Sequence, residues 1–385
     1  VRGQLVRQFL GEALLLTAIA LLLALLFIEI LMPQFNRIFE RQLTLDYFEN
    51  GVLLAALAIT ALLAGLLSGS YPALFLSAYK PIDTLQGKLE GTMNARSPLR
   101  LRQLLVVLQF AVSIVLITGT VVVYQQLHFM KTKDLGLNDR QVVVVPLRDP
   151  SLIQRQEALK NRMLAEPGVV NVTFANRAPG TGAMGTAVGR EGAPREQHVS
   201  MKFLFVEHDF IPAMEIELTA GRNFSREFPS DLEAAFVLNE KAVQDLGWPS
   251  AEAAIGQRIT WAGRKSGTIV GVVKNFHFQP LQVFIQPLVL HLSSQNMQTM
   301  LVRIEGADMS QTISRLREKW AAFAPDWPFA YSFLDQDFDN LYKSQEQFGQ
   351  MFGAFAFLAI VIACLGLLGL ATFSAQRRTK EIGIR

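Results

Sequence analysis

Residues 9–32 read FLGEALLLTAIALLLALLFIEILM, an apolar run that no water-soluble fold readily hides. About 20 mostly apolar residues in a helix cross the roughly 30 Å hydrocarbon layer of a bilayer. Three more runs of that kind follow: 52–76 (VLLAALAITALLAGLLSGSYPALFL), 104–124 (LLVVLQFAVSIVLITGTVVVY) and 348–373 (FGQMFGAFAFLAIVIACLGLLGLATF). The run at 104–124 is rich in β-branched residues, but strands rarely exceed about 10 residues, so it too reads as a membrane helix. Pro33 is expected to stop the first span. Composition agrees, since 50% of the chain is hydrophobic and only 18% charged. Soluble domains carry about 25% charged residues.

Charges flanking the runs set their orientation, because short cytoplasmic loops hold the excess of Lys and Arg. Arg2 and Arg7 precede the first span, and Arg37 and Arg41 in the next loop are offset by Glu40, Asp46 and Glu49. Lys80, Lys88, Arg96, Arg100 and Arg102 crowd the following loop, and Arg377, Arg378, Lys380 and Arg385 follow the last span. Two spans (9–32 and 52–76) therefore occupy residues 1–76, and 77–103 is a basic cytoplasmic linker. A third span at 104–124 leads to an extracytoplasmic segment, 125–347, and a fourth at 348–373 returns to a cytoplasmic segment, 374–385.

The 125–347 segment has the pattern of a mixed α+β domain. Apolar or alternating runs predict strands at 141–147, 169–175, 199–206, 234–239, 267–276, 287–292 and 299–304. Helical spacing predicts helices at 151–166, 240–248 and 309–324. The elements do not alternate strictly, which argues against a doubly wound sheet. Residues 177–196, RAPGTGAMGTAVGREGAPRE, are expected to form a mobile loop.

Catalytic and metal-binding patterns are weak. No GxxxxGK[ST] phosphate cradle occurs, and WAGRKSG (261–267) has the wrong spacing. The five histidines include no HExxH pair, and the adjacent Glu207, His208 and Asp209 read as a solvated strand-to-helix turn. Asp335, Asp337 and Asp339 follow DxDxD with Glu346 beyond, but Asn340 stands where a calcium loop needs glycine. Acidic capping of the helix entering the fourth span is the favoured reading, with calcium left open. No nucleophile–base pattern is specific enough to name, so the chain reads as non-catalytic. The formal charge of +3 comes without a basic, aromatic-interleaved stripe, which argues against nucleic acid as partner. A single cysteine, Cys364, cannot form a disulfide within the chain. Glu12 and Glu29 lie near the ends of the first span and read as boundary residues. Gly65 with Gly69, and Gly349 with Gly353, have the GxxxG spacing that lets membrane helices approach closely.

Several stretches together carry a family resemblance. They are RGQLVRQFLGEALLL (2–16), GSYPALFLSAYKPIDTLQGK (69–88) and QRRTKEIGIR (376–385) around the spans, and LTAGRNF (218–224), NEKAVQDLGW (239–248), AIGQRI (254–259), GTIVGVVKNFHFQPL (267–281) and YSFLDQDFDNLY (331–342) outside. The chain resembles the MacB/FtsX-like ABC transporter permeases, of the two-repeat, eight-span type, over nearly its whole length. The order of elements matches the middle of such a permease, so the chain is expected to be an internal stretch of one. The resemblance implies an α-helical multi-pass membrane protein with a large mixed α+β, MacB-like periplasmic core domain in the bacterial inner membrane. It also implies a separate cytosolic ABC ATPase subunit that binds the ATP, leaving this chain without a cofactor of its own. The segment after the last span, Arg378, Lys380, Glu381, Ile382, Gly383, Ile384 and Arg385, would contact that ATPase and transmit its closure. Export or mechanotransmission would follow, with a periplasmic or outer-membrane protein as a further partner beside the lipid bilayer. The same stretch also serves as a positive-inside anchor. A rival reading, a membrane-anchored receptor or sensor with an extracytoplasmic ligand-binding domain, would need a cytoplasmic output domain, and the 77–103 linker is too short to be one.

Overall fold

Long helices carry the apolar runs in the computed structural model, which describes residues 2–45, 51–77, 97–261, 265–295, 297–306 and 308–382. The chain divides into two units, Val1–Val121 with Gln347–Arg385, and Val122–Glu346.

In the first unit, α1 (Arg2–Phe39) and α2 (Gly51–Ser77) pack against each other. Pro33 does not stop α1 as expected: the helix runs to Phe39. Proline removes one donor from the ladder, and long membrane helices tolerate that loss. Beyond it the Phe35 and Phe39 rings stack at 4.4 Å, one turn apart. The helix ends at Glu40, which takes a positive φ of 50°, while the Asn36 carboxamide both accepts from Leu43 N (3.0 Å) and donates to Leu43 O (2.8 Å). Two further helices, α3 (Ser97–Thr132) and α11 (Leu334–Ile382), are likewise longer than their apolar runs. Among the described residues four helices are long and apolar enough to cross a membrane, matching the four runs.

The second unit is built on a mixed eleven-stranded sheet. Its strands are β1 (Val142–Pro146), β2 (Val169–Ala175), β3 (Met184–Arg190), β4 (Val199–Val206), β5 (Leu218–Gly221), β6 (Ala235–Asn239), β7 (Arg258–Trp261), β8 (Lys265–Val273), β9 (Leu288–Leu292), β10 (Thr299–Ile304) and β11 (Ser332–Phe333). The short helices are α4 (Pro150–Gln154), α5 (Gln156–Leu164), α6 (Phe210–Ala213), α7 (Asp231–Ala234), α8 (Glu240–Asp245) and α9 (Ala251–Ala254), with a longer α10 (Met309–Phe323).

Strands β11, β1, β10 and β2 pair antiparallel in that order. The unbroken VVVV of β1 is explained by burial on both faces. Val143 and Val145 pack under α5 and α10 with Leu159, Met163, Ile313, Leu316 and Trp320. Val142 and Val144 face the other way, toward Leu301, Phe210, Phe276, Leu334 and Phe338. Pairings β4–β3–β7–β8–β6–β9 return to β4 and close a six-strand ring, with β4–β9 and β6–β8 parallel. Phe203, Phe236, Trp261 and His291 crowd one face of these strands, with Phe203 stacked on Trp261 at 4.4 Å.

Three expectations are corrected here. Residues 177–196 contain β3, which pairs with both β4 and β7. The glycines there mask a strand because neighbours take the space: a Cβ on Gly189 would lie 2.3 Å from His198 Cδ2. The predicted helix 151–166 breaks at Arg155, whose guanidinium sits 4.8 Å over the Phe323 ring. Glu207 is not in a solvated turn but is 5% exposed. Its Oε1 accepts from Lys160 Nζ (2.5 Å) and Arg226 Nη2 (2.8 Å). Burial pushes its carboxyl above the ordinary range, ahead of the opposing pull of Lys160.

His291 is 2% exposed, with Nδ1 3.0 Å from Ala235 O and Nε2 3.1 Å from Lys265 Nζ. Nδ1–H therefore donates to the carbonyl and Nε2 accepts from the ammonium, which holds the ring neutral. Burial, reinforced by Lys265, lowers the imidazole from 6.5 to about 4. A depressed histidine contributes stability that is complete above its unfolded value and is lost as pH falls through the folded one. Between pH 6.5 and 4 this group should remove about 3 kcal/mol of stability. His291→Gln should flatten that part of the curve, as read by denaturant unfolding at stepped pH. An unchanged slope would contradict the assignment.

Candidate functional site

Helices α3 and α11 each have one end in the Val122–Glu346 unit, and both ends are fastened to its sheet. After α3 the chain drops onto the β8–β9 connection. His277 N donates to Leu135 O at 2.7 Å. Gly136 takes a φ of +73° and lies so close that a Cβ would come 2.9 Å from Asn275 O. Leu137 is buried, and Asn138 N donates to Met214 O at 2.9 Å.

The segment is then held by Arg303 on β10, 5% exposed. Its Nε donates to Ala213 O (2.6 Å), its Nη2 to Asn138 O (2.8 Å) and its Nη1 to Arg140 O (3.5 Å), with Glu215 Oε1 3.4 Å away. Burial lowers the guanidinium from its ordinary value, countered by Glu215. Arginine stays cationic in proteins regardless. A planar fork with fixed donors suits this task, because each buried N–H needs an acceptor placed for it.

The α11 side is held by packing. Leu334 and Phe338 are buried in the same core as Phe276 and Phe278. Phe338 covers Gly180, where a Cβ would meet its ring at 3.1 Å, and Gly180 N donates to Phe278 O at 3.1 Å. Tyr342 Oη accepts from Leu281 N at 3.0 Å. Lys131 of α3 and Glu346 of α11 form an ion pair. The stretch 275–281, NFHFQPL, is thus gripped from both sides, by the chain after α3 and by the first turns of α11. An open cleft of about 1470 Å³ lies among these parts, lined by Lys133, Asp139, Glu215, Lys274, Ile285 and Asp339 among others. Burial raises the Asp139 carboxyl, and the charges of Asp335 and Asp339 add to that.

The residues named from sequence fall in different places. Asp335 and Asp337 lie in the first turn of α11, and Ser332 Oγ donates to Asp337 Oδ2 at 2.7 Å. Among the described residues no three acidic, His or Cys side chains converge as metal ligands. Gly65 and Gly69 face α1: Cβ atoms there would lie 2.7 Å from Leu14 Cδ2 and 2.7 Å from Ala13 Cβ. Gly353 has more room, since a Cβ there would lie 3.8 Å from Thr120 Cγ2, and Gly349 is buried. Space is tighter at Gly366, where a Cβ would lie 2.7 Å from Gln109 Oε1 of α3. The backbone of Arg378, Lys380, Glu381 and Ile382 closes α11 as helix, whereas Gly383, Ile384 and Arg385 lie outside the described residues.

Sequence reading missed Arg303, Phe338, Tyr342 and the Lys131–Glu346 pair. Arg303 left a signal as the one charge in TMLVRI, a strand buried at all six positions, and Phe338 and Tyr342 stand in the family stretch YSFLDQDFDNLY without a role being read for them.

Comparison with known families fits this architecture. The FtsX-like permease C-terminal model matches residues 2–81. The MacB-like periplasmic core domain model matches residues 104–319, more than half of the chain. The chain belongs to the MacB/FtsX-like permease family. This permease is accordingly a multi-pass inner-membrane protein with an extracytoplasmic core domain, and no enzyme family is indicated. No curated protein matches it. Among solved structures it is similar to the periplasmic region of MacB from Actinobacillus actinomycetemcomitans, at 10% identity and a TM-score of 0.40, over 55% of this chain and 97% of that one. The extracellular domain of the ABC-type transporter YknZ from Gram-positive bacteria is similar at 12% identity and a TM-score of 0.36, over 50% and 97%. A permease-protein domain from Porphyromonas gingivalis is similar at 16% identity and a TM-score of 0.34, over 50% and 88%.

Two outcomes are expected from this geometry. Arg303→Met should lower unfolding stability by about 3–5 kcal/mol, since charged hydrogen bonds are lost and buried carbonyls orphaned. Limited trypsin digestion of the permease in detergent should then cut after Lys133 and Arg140, which the parent resists. Gly65→Leu should destabilise the α1–α2 pair by about 1–3 kcal/mol, as overpacking does. An Ala13→Cys/Gly69→Cys pair in a Cys364→Ala background, which crosslinks readily, should stop doing so in that variant.

Proposed function

We propose that this permease is the membrane subunit of an ABC transporter. Its α3 and α11 carry the ATP-driven closure of a separate cytosolic ATPase subunit to the extracytoplasmic domain, for export or mechanotransmission. ATP is bound by that partner, and this chain supplies no catalytic group and holds no nucleotide. Both ends and the 77–103 linker face the cytoplasm, as the Lys and Arg distribution favours.

The observation that carries the reading is the double fastening of the sheet. One continuous helix of 49 residues joins Leu334 to Ile382. At about 1.5 Å per residue that is roughly 73 Å of helix. A push on its cytoplasmic end is delivered to Leu334, Phe338 and Tyr342, which are buried in the domain. The chain after α3 is pinned by Arg303, so neither helix can shift at the domain without moving the sheet or breaking buried contacts. Interiors packed like solids pass such displacement on rather than absorbing it. Coupling at the cytoplasmic end is assigned to Arg378, Lys380, Glu381, Ile382, Gly383, Ile384 and Arg385, with the isoleucines giving apolar contact and the charges polar docking.

Affinity purification of the full-length permease in lipid nanodiscs tests the assignment. A P-loop ATPase should copurify, and its ATP hydrolysis should depend on the permease. Ile382→Asp should cut that stimulated hydrolysis about tenfold, the loss of one well-packed interface contact. Unchanged hydrolysis, or no ATPase in the preparation, would contradict it.

A further inference from the structure

Between β8 and β9 the chain reads FHFQPLQVFIQP, residues 276–287. Phe284 in this loop is 93% exposed, while no other large apolar side chain described outside the spans exceeds 54%. Its neighbours Val283 and Ile285 are only half-buried, so the loop presents three apolar side chains in a row. Isolated apolar residues on a wet surface are ordinary, but a run that holds a phenylalanine almost wholly in water is not.

The ties of the loop say what covers it. Leu281 N donates to Tyr342 Oη at 3.0 Å. Tyr342 stands six residues before Phe348, where the apolar run of α11 opens, or about 9 Å along the helix axis. Ile285 lines the same cleft as Met130 and Lys131, and Lys131 pairs with Glu346, two residues before Phe348. Phe129 on α3 is also exposed, with the Lys133 ammonium 5.7 Å over its ring. The loop is therefore tied to α11 through Tyr342, about 9 Å along the helix from the start of its apolar run, and shares its cleft with the end of α3.

We propose that residues 281–287 form an interfacial membrane contact, with Phe284, flanked by Val283 and Ile285, seated in the headgroup and upper acyl region of the leaflet on the domain's side. Amphipathic and aromatic groups collect at that depth, where apolar surface leaves water and the backbone keeps its hydrogen-bond partners. Continuity with the two spans favours lipid over a protein partner. The contact would give the domain a third point on the membrane and oppose its rotation about the two helices. The inference rests on the spans alone, so it can fail while the proposed ATPase coupling stands.

The test uses the full permease in phosphatidylethanolamine–phosphatidylglycerol vesicles, with Cys364→Ala as background. Phe284→Cys and Gln282→Cys carry an environment-sensitive fluorophore. Leu232→Cys on α7 serves as control, because α7 precedes β6 whereas the loop meets the far end of that strand, where Asn239 Nδ2 donates to Gln286 O at 3.0 Å. Nitroxide-labelled lipid should quench the probes at 284 and 282 several-fold more than the probe at 232, and iodide should show the reverse order. Equal iodide quenching at all three positions would overturn the proposal. So would protection of position 284 from both quenchers, which would mean that a protein covers it.

Discussion

A guanidinium taken out of water must find an acceptor for each N–H it buries, and Arg303 finds them on two segments that are distant in sequence. Asn138 and Arg140 lie just after α3, and Ala213 and Glu215 close the short α6. Since Arg303 also sits in β10, opposite Val142 of β1, its side chain ties the exit of a membrane helix to the middle of the sheet. A buried charge that loses its partners is costly, so the clasp opens only with a large loss of stability. Without it, the chain after α3 would keep the backbone bonds of Leu135 and Asn138 and the burial of Leu137 among its ties before β1. The packing of Leu334, Phe338 and Tyr342 supplies the complementary grip.

The spans and most strands were legible because their signals are local. Apolar runs of span length give helices whatever surrounds them, and VVVV at 142–145 or TMLVRI at 299–304 can hardly be anything but buried strand. The mixed α+β class followed from their order. Helix ends were less legible. Pro33 suggested a stop, yet the helix continues because the residues beyond it still pack, as the Phe35–Phe39 pair shows. Strand β3 was hidden by its glycines, since the signal that a neighbour fills the Cβ position of Gly189 lies nine residues on, in His198.

The junction was hardly legible at all. Its contacts join residues far apart in sequence: Arg303 with Asn138, Tyr342 with Leu281, His277 with Leu135. No periodicity reports such pairs. What could be read was GTIVGVVKNFHFQPL as a family stretch, and its closing residues prove to be the part gripped by both helices. Membrane glycines were read in part. Gly65 and Gly69 do meet α1 closely, but between α3 and α11 the glycine with least room for a side chain is Gly366, against Gln109, a position outside the GxxxG pairs.

Transmission from helices to domain requires that the junction behave as one body with the sheet. Amide hydrogen exchange of the permease in a bilayer measures this directly. Backbone N–H groups of Asn138, His277 and Leu281 are the donors that bind the two helix ends to the domain. They should exchange as slowly as Leu301 in the middle of β10, through global unfolding only. Exchange orders of magnitude faster than Leu301 would mean that the junction opens by itself, and would contradict rigid transmission from helices to domain.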